Sequence, residues 1–421
     1  MDPMTLPTEL TDKIIAHIAH DKLSLLSCAA VCRSWVSTSR EHYFRDFPPK
    51  ISSRDLIELV QLLESPFSTF NAHLCSLEIC ERWLYDSPAE ELQSNAELSP
   101  DRPILVGLKH LYLTELPGER VAHFNGMPVF SSLRNVTTLY LGWLKTKSFS
   151  VLAALLSSLT LLETLSLAFV HLDRGDAPEE ETSGERPPMR LQHVSVHYSS
   201  QIAHALFEWL LSKECLPPIS RLYFEQRIPP PMAGPAVTLI RRLGADLKQL
   251  KVCSGGVCSD DSYIIDGRYC ALAHALGSSL IFFFRLAFML GLNLSANTSL
   301  ESLSITGLGS HNIWNDNNKP SVPLRSVLST LNSSSLRDIS FYIAMSSVHF
   351  SQQLPFLYLD GVHNLMLYSK SRRIHPAPNI TFCFKGTFDG FEEDRISLVK
   401  EMVRNSLGQG LDSGVTICFM K

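Results

Sequence analysis

Apolar residues return along this chain in a short register, apolar-x-x-apolar-x-apolar, that predicts one strand at each occurrence. It is met at Leu74, Leu77 and Ile79, at Leu108, Leu111 and Leu113, at Val136, Leu139 and Leu141, and at Leu162, Leu165 and Leu167. Further copies fall at Leu191, Val194 and Val196, at Ile219, Leu222 and Phe224, and at Leu247, Leu250 and Val252. The last three are Leu300, Leu303 and Ile305, then Leu336, Ile339 and Phe341, then Val362, Leu365 and Leu367. Counted from the first residue of each copy, the steps are 34, 28, 26, 29, 28, 28, 53, 36 and 26. The long step is expected to hide one degenerate copy at 280–286. Between copies, 149–161 and 203–213 carry apolar residues at three- and four-residue intervals, which predicts returning helices. Strand and helix in alternation predict parallel pairing, because a parallel neighbour needs a crossover of a dozen residues or more.

A period of this length is that of leucine-rich repeats, in which each unit supplies one short strand and a return, and stacking buries a shared core. The expected fold class is therefore α/β, a leucine-rich-repeat-like solenoid over 71–421 with strands on its concave face and helices outside. Residues 173–188, DRGDAPEEETSGERPP, are acidic, polar and proline-containing, and read as a disordered loop between two repeats. Residues 315–320 read as a shorter loop of the same kind, and 414–420 as a closing strand. A helix is expected over 52–66, within a linker at 51–70, with Ser52 or Ser53 as its N-cap.

The first 50 residues follow a different pattern. Pro7 opens a helix, Glu9 stands in its first turn where the helix dipole favours an acid, and Leu10, Ile14 and Ile18 recur every four residues as one apolar stripe. After a break at Asp21 and Lys22 come Leu23, Leu26, Ala30 and Val31, then Cys32, Arg33, Ser34 and Trp35, so three short helices fit before Phe47, Pro48 and Pro49. A unit of roughly 45 residues buries little surface by itself. One so rich in Leu and Ile is expected to complete its core against a partner or the rest of the chain.

In order, spacing and position these residues resemble the F-box, with its Leu-Pro, acidic residue, Leu, spaced Ile and Leu, and closing Val-Cys-Arg-x-Trp. The matching positions are Leu6, Pro7, Glu9, Leu10, Ile14, Ile18, Leu23, Leu26, Val31, Cys32, Arg33 and Trp35. The resemblance implies a three-helix F-box domain over 1–50 that binds the Skp adaptor of a cullin-RING ubiquitin ligase, with the rest of the chain capturing the protein to be modified. Ile18 is followed by Ala19 and His20 where the family more often has Leu and an acidic turn. The repeats lack the Asn or Cys that usually follows the strand, and in this they resemble the irregular arrays of fungal F-box proteins.

Composition agrees with an intracellular adaptor in the cytoplasm or nucleus. A net charge of -5 with 19% charged residues leaves no basic field, which argues against nucleic acid or an anionic membrane as partner. The ten cysteines form no dense framework and read as reduced thiols. No secretory signal opens the chain, so the sequons at Asn135, Asn293, Asn297, Asn332 and Asn379 are expected to stay unmodified. The apolar stretch at 276–294 approaches membrane-spanning length, but Arg285 in its middle favours a buried strand and helix.

Motifs for chemistry are missing: there is no nucleophile elbow, no phosphate-cradling glycine loop and no dinucleotide fingerprint. Cys253, Cys258, Cys270 and His274 have only loosely metal-like spacing, and zinc sites prefer closer pairs. Neither catalytic residue, metal nor cofactor is expected, and the cysteine surroundings do not suggest a reactive thiol. What remains is recognition. Positions between the apolar residues of each strand should face outward: Lys109, His110, Tyr112, Thr137, Thr138, Tyr140, Glu163, Thr164, Ser166, Gln192, His193, Ser195, Arg221 and Tyr223. Of these Tyr112, Tyr140, His193, Arg221 and Tyr223 are the candidate target contacts. The alternative is a non-catalytic repeat scaffold with no link to ubiquitination.

Overall fold

The computed structural model describes residues 7–52, 55–65, 74–81, 105, 107–116, 133–146, 148–172, 185–227, 230–253, 291–308, 326–344, 378–385, 397, 400–401, 403 and 415–420. The chain divides into two units, Met1–Leu191 and Gln192–Lys421. The first holds helices α1 (Thr8–His17), α2 (Lys22–Val31), α3 (Arg33–Asp46), α4 (Leu56–Glu64) and α5 (Phe149–Ser158). Its strands are β1 (Lys50–Ile51), β2 (Ser76–Cys80), β3 (His110–Thr114), β4 (Thr138–Thr146) and β5 (Thr164–Leu172). The second holds β6 (His193–His197), α6 (Ser200–Leu211), β7 (Arg221–Arg227), α7 (Pro230–Leu243), β8 (Gln249–Cys253), β9 (Ser302–Leu308), β10 (Asp338–Ala344), β11 (Asn379–Lys385) and β12 (Val415–Met420).

Within each unit every strand pairs in parallel with the next one along the chain, which makes the protein an α/β leucine-rich-repeat-like array. The repeat register is reproduced residue by residue. In the first unit Leu77 faces Leu111, Leu111 faces Leu139 and Leu139 faces Leu165, and all four are buried. In the second, Val194, Leu222, Leu250, Leu303, Ile339 and Ile380 form the equivalent line. Each strand taken alone buries one thin apolar edge, and only stacking turns these edges into a core.

The backbone ahead of each strand is satisfied by a repeated device. The carbonyl of Cys75 accepts from the N–H groups of both Lys109 and His110, that of Lys109 from Thr137 and Thr138, and that of Thr137 from Glu163 and Thr164. Gln192, Ser220, Lys248 and Glu301 do the same in the second unit. These shared carbonyls hold neighbouring repeats in step through the backbone alone.

Several expectations change. Residues 280–286 lie outside the described residues, and β8 pairs directly with β9, Leu250 facing Leu303, so no strand stands between them. Likewise β10 pairs directly with β11, and the copy at Val362, Leu365 and Leu367, itself outside the described residues, does not separate them. The strand in that place is β11, whose Ile380, Phe382 and Phe384 alternate strictly with Thr381 and Cys383. Alternation with β-branched and aromatic residues suits 379–385 to a strand that the Leu-x-x-Leu template does not capture. Two returning helices shift along the chain: α5 ends at Ser158, three residues early, and α6 begins at Ser200 and ends at Leu211. The helix expected from Ser52 starts later, at Leu56. Ser52 instead pairs with Asp55, accepting on Oγ from the Asp55 N–H and donating its own N–H to the carboxylate, in the turn before α4. Pro7 is the residue before α1 rather than its first residue. Of the segment at 173–188, residues 173–184 lie outside the described residues, as do 315–320.

Buried polar groups fix the returns. Asn297, 1% exposed, donates through Nδ2 to the carbonyls of Ile240 and Gly244 at 2.9 and 3.0 Å, closing the end of α7. Gly244 takes φ +51°, a left-handed conformation suited to glycine just past a helix. Buried and so bonded, Asn297 cannot be reached as a glycosylation acceptor in the folded chain.

Candidate functional site

The N-terminal helices separate their apolar residues into two sets. Ile15, Leu25 and Cys28 are buried at their centre, with Ile18, Trp35, Tyr43 and Phe47 packed around them. Asp12 and Thr38 join α1 to α3 through a 2.6 Å hydrogen bond, and Lys22 lies over the Tyr43 ring. Asp21 caps α2 by accepting from the Leu23 N–H; the Ser24 hydroxyl, and after it that N–H, hold its carboxyl below the usual range. The other set faces away from this core. Leu23 is 73% exposed, Val31 63%, Leu26 49%, Leu10 47% and Ile14 44%.

Leu10, Ile14 and Ile18 therefore do not form one stripe: Ile18 turns inward beside Ile15, and Leu10 and Ile14 turn outward. An apolar helix of this width has two faces, and the four-residue spacing did not show which one the neighbouring helices would take. Trp35 also lies inward. Pro7, Glu9 and Cys32 are exposed, and Leu6 lies outside the described residues. The Cys32 thiol, at the start of α3, is held below its ordinary value chiefly by its hydrogen bond with Ser34 Oγ, a local effect the sequence did not suggest.

The outward row of the first unit is carried by β2 to β5. Tyr112 and Tyr140 are strand partners with ring centroids 6.0 Å apart. Tyr140 leans over Gly142, where a Cβ would meet its ring at 2.7 Å, so the glycine makes room for the phenol. Burial, and then the charge of Glu78, raise the Tyr140 hydroxyl above its ordinary value. Glu78 in turn pairs with Lys50 at 2.8 Å. Directly beyond, Trp143 and Phe169 stack at 4.0 Å with rings nearly parallel, and Trp143 is 45% exposed.

Glu115, Trp143, Phe169 and Tyr198 all have φ between 46° and 56°, a left-handed conformation that costs a bulky residue roughly 1–2 kcal/mol. Each is the eighth position of its repeat, counted from Leu108, Val136, Leu162 and Leu191. The apolar template ends at the sixth position and does not reach these residues. An aromatic side chain recurring two places after the last apolar position at Trp143, Phe169 and Tyr198 was the available signal.

In the second unit the outward positions of β6, β7 and β8 form a polar row. His193 meets Tyr223 edge-on at 4.7 Å, and the Tyr223 hydroxyl donates to Gln249 at 2.6 Å. Ser195 Oγ lies 2.8 Å from His197 Nε2, His197 Nδ1 lies 3.0 Å from Glu225, and Lys251 Nζ reaches the same carboxylate at 2.7 Å. Between His197, the larger influence, and Lys251, the Glu225 carboxyl is held at about 2. Burial, and then Arg221, push His193 below its ordinary value. Hydroxyl, imidazole and carboxylate stand in the order a nucleophilic site uses. Ser195, however, is 7% exposed in the middle of a strand, which keeps its oxygen from an incoming carbonyl. Arg221 is exposed, while Tyr112, Tyr140, His193 and Tyr223 are half-buried by their neighbours along the row.

Among the described residues no group of His, Cys, Asp and Glu could hold a metal ion, and no helix is long and apolar enough to cross a membrane. Cys258, Cys270, His274 and Arg285 lie outside those residues. No protein-family profile matches the chain, and no curated protein matches it. Among solved structures the chain is similar to an internalin of Listeria monocytogenes, at 12% identity and a TM-score of 0.29, over 83% of this chain and 75% of that one. So distant a likeness adds nothing to the strand register, on which the repeat fold rests.

Proposed function

We propose that the protein is the target-recognition subunit of a Skp-cullin-F-box ubiquitin ligase. The observation that supports this best is the outward apolar set on α1 and α2: Leu10, Ile14, Leu23, Leu26 and Val31 stay exposed although the same helices possess a buried core of their own. Folded domains seldom leave so many large aliphatic side chains of one small helical unit exposed without a partner. The F-box-like order of these residues supports the Skp adaptor as that partner. On this reading the exposed five, with Leu6, Pro7, Glu9 and Cys32, face the adaptor, and Ile18 and Trp35 act indirectly by shaping the helices.

The outward rows of the two units supply target-facing surfaces, one around Tyr112, Tyr140, Trp143 and Phe169 and one around His193, Arg221 and Tyr223. Catalysis is proximity: the chain raises the effective concentration of a target lysine near a charged conjugating enzyme on other subunits, and needs no active site or cofactor of its own. It works in the cytoplasm or nucleus.

Co-expression of the full chain with the Skp adaptor and cullin tests this. The wild type is expected to recover both, and Leu23→Asp/Leu26→Asp to recover neither while keeping its circular dichroism spectrum. Failure of the wild type to retain the adaptor overturns the reading; adaptor without cullin supports a scaffold outside ubiquitination.

A further inference from the structure

Cys383 on β11 and Cys418 on β12 are directly opposed in the parallel register, and their Sγ atoms lie 2.7 Å apart, both as free thiols. A disulfide holds its sulfurs about 2.05 Å apart and joins Cα atoms roughly 4.4–6.8 Å apart. Neighbouring strands stand about 4.8 Å apart, within that window. The pair can therefore close with little movement of either strand.

We propose that Cys383 and Cys418 are a reversible oxidation site that links β12 to β11 through thiol–disulfide exchange with a small-molecule disulfide such as glutathione disulfide. Cys418 is half-buried and Cys383 only 5% exposed, so Cys418 is the entering nucleophile. Burial, and then the hydrogen bond with Cys418, push the Cys383 thiol up to about 12, which keeps it protonated at the outset. The Cys418 thiolate attacks one sulfur of glutathione disulfide, the S–S bond breaks, and one glutathione leaves as thiolate and takes up a proton. Capping Cys418 removes the hydrogen bond and the charge that add to burial in holding the Cys383 proton. Cys383 then releases that proton to water and attacks the Cys418 sulfur, expelling the second glutathione. In sum two protein thiols lose two electrons and two protons, and one glutathione disulfide becomes two thiols.

The consequence lies at the edge of the array. Among the described strands β12 has β11 as its sole neighbour, held by backbone pairing and by stacking of Phe384 on Phe419. A bond at Cys383 and Cys418 prevents this edge strand from detaching.

The reduced full chain is incubated with graded glutathione disulfide, remaining thiols are blocked, and peptides are mapped without reduction. The expected product is a Cys383–Cys418 linked peptide that dithiothreitol removes. Exposed Cys32 and Cys215 serve as internal references for thiols that take up glutathione without closing a ring. The oxidised chain should lose β12 to limited proteolysis at least about tenfold more slowly than the reduced chain, because the cross-link penalises the detached state. Cys418→Ser should abolish both the linked peptide and the protection. The proposal is overturned if Cys32 and Cys215 react while Cys383 and Cys418 remain alkylatable or carry separate glutathiones, or if the linked chain is digested as fast as the reduced one.

Discussion

Glu225 shows what a single residue contributes to this array. Its carboxyl is held at about 2 by His197 first and Lys251 second, below the roughly 4.3 of an unfolded glutamate. A depressed folded value means that the stabilisation is fully present above the unfolded value and disappears as pH falls from about 5 towards 2. The fall in melting temperature over that window should be shallower in Glu225→Gln, and an unchanged slope would show that the row's ion pairs are too well solvated to matter. Core and return residues carry larger effects. Phe207 is fully buried edge-on against Phe224, and Phe207→Ala should cost about 3–5 kcal/mol in denaturant unfolding. Asn297→Ala strips two carbonyls at the end of α7 of their donor and should cost about 1–3 kcal/mol.

At the scale of elements, the three N-terminal helices hold a buried core apart from an exposed apolar set, which the proposed function assigns to folding and to adaptor binding respectively. Ile15 belongs to their core and Leu23 to their surface, so Ile15→Ala should lower helical content and adaptor binding together, at a cost of about 2–5 kcal/mol. Leu23→Asp should remove binding alone; if its circular dichroism falls as far as that of Ile15→Ala, the exposed set is structural. The three helices themselves were legible from Pro7, Asp21 and the cluster at Phe47, because helix starts and stops are local chemistry. Which of Leu10, Ile14 and Ile18 turned inward was not, since all three are apolar and only the packing of α2 and α3 chooses between them. Among the described residues, strands were legible where the six-residue register was filled with apolar residues, as at Leu108, Val136, Leu162 and Leu247. The copy at Val362 lies outside the described residues, and the strand at Asn379–Lys385, which the template does not reach, is the one that pairs with β10.

Over the whole molecule, each unit buries its own line of strand residues, whereas the hydrophobic core shared by α1 to α3 is the small cluster of Ile15, Leu25 and Cys28. Backbone amides of α1 to α3 should therefore exchange with solvent faster than those of β4, β5, β9 and β10, and adaptor binding should slow the helices specifically. Equal protection throughout would show that these helices draw their stability from the array. The sequence by itself determined the parallel repeat and its period, because a recurring apolar register has one economical way to bury itself, and it determined the three helices through their local start and stop signals. Tertiary structure alone decided the neighbours: that β8 meets β9 across 53 residues, that Trp143 stacks on Phe169 from left-handed positions, and that Cys383 stands opposite Cys418. Each of these joins residues far apart in the chain, and local propensity holds no information about which distant segment will supply the other half of a contact.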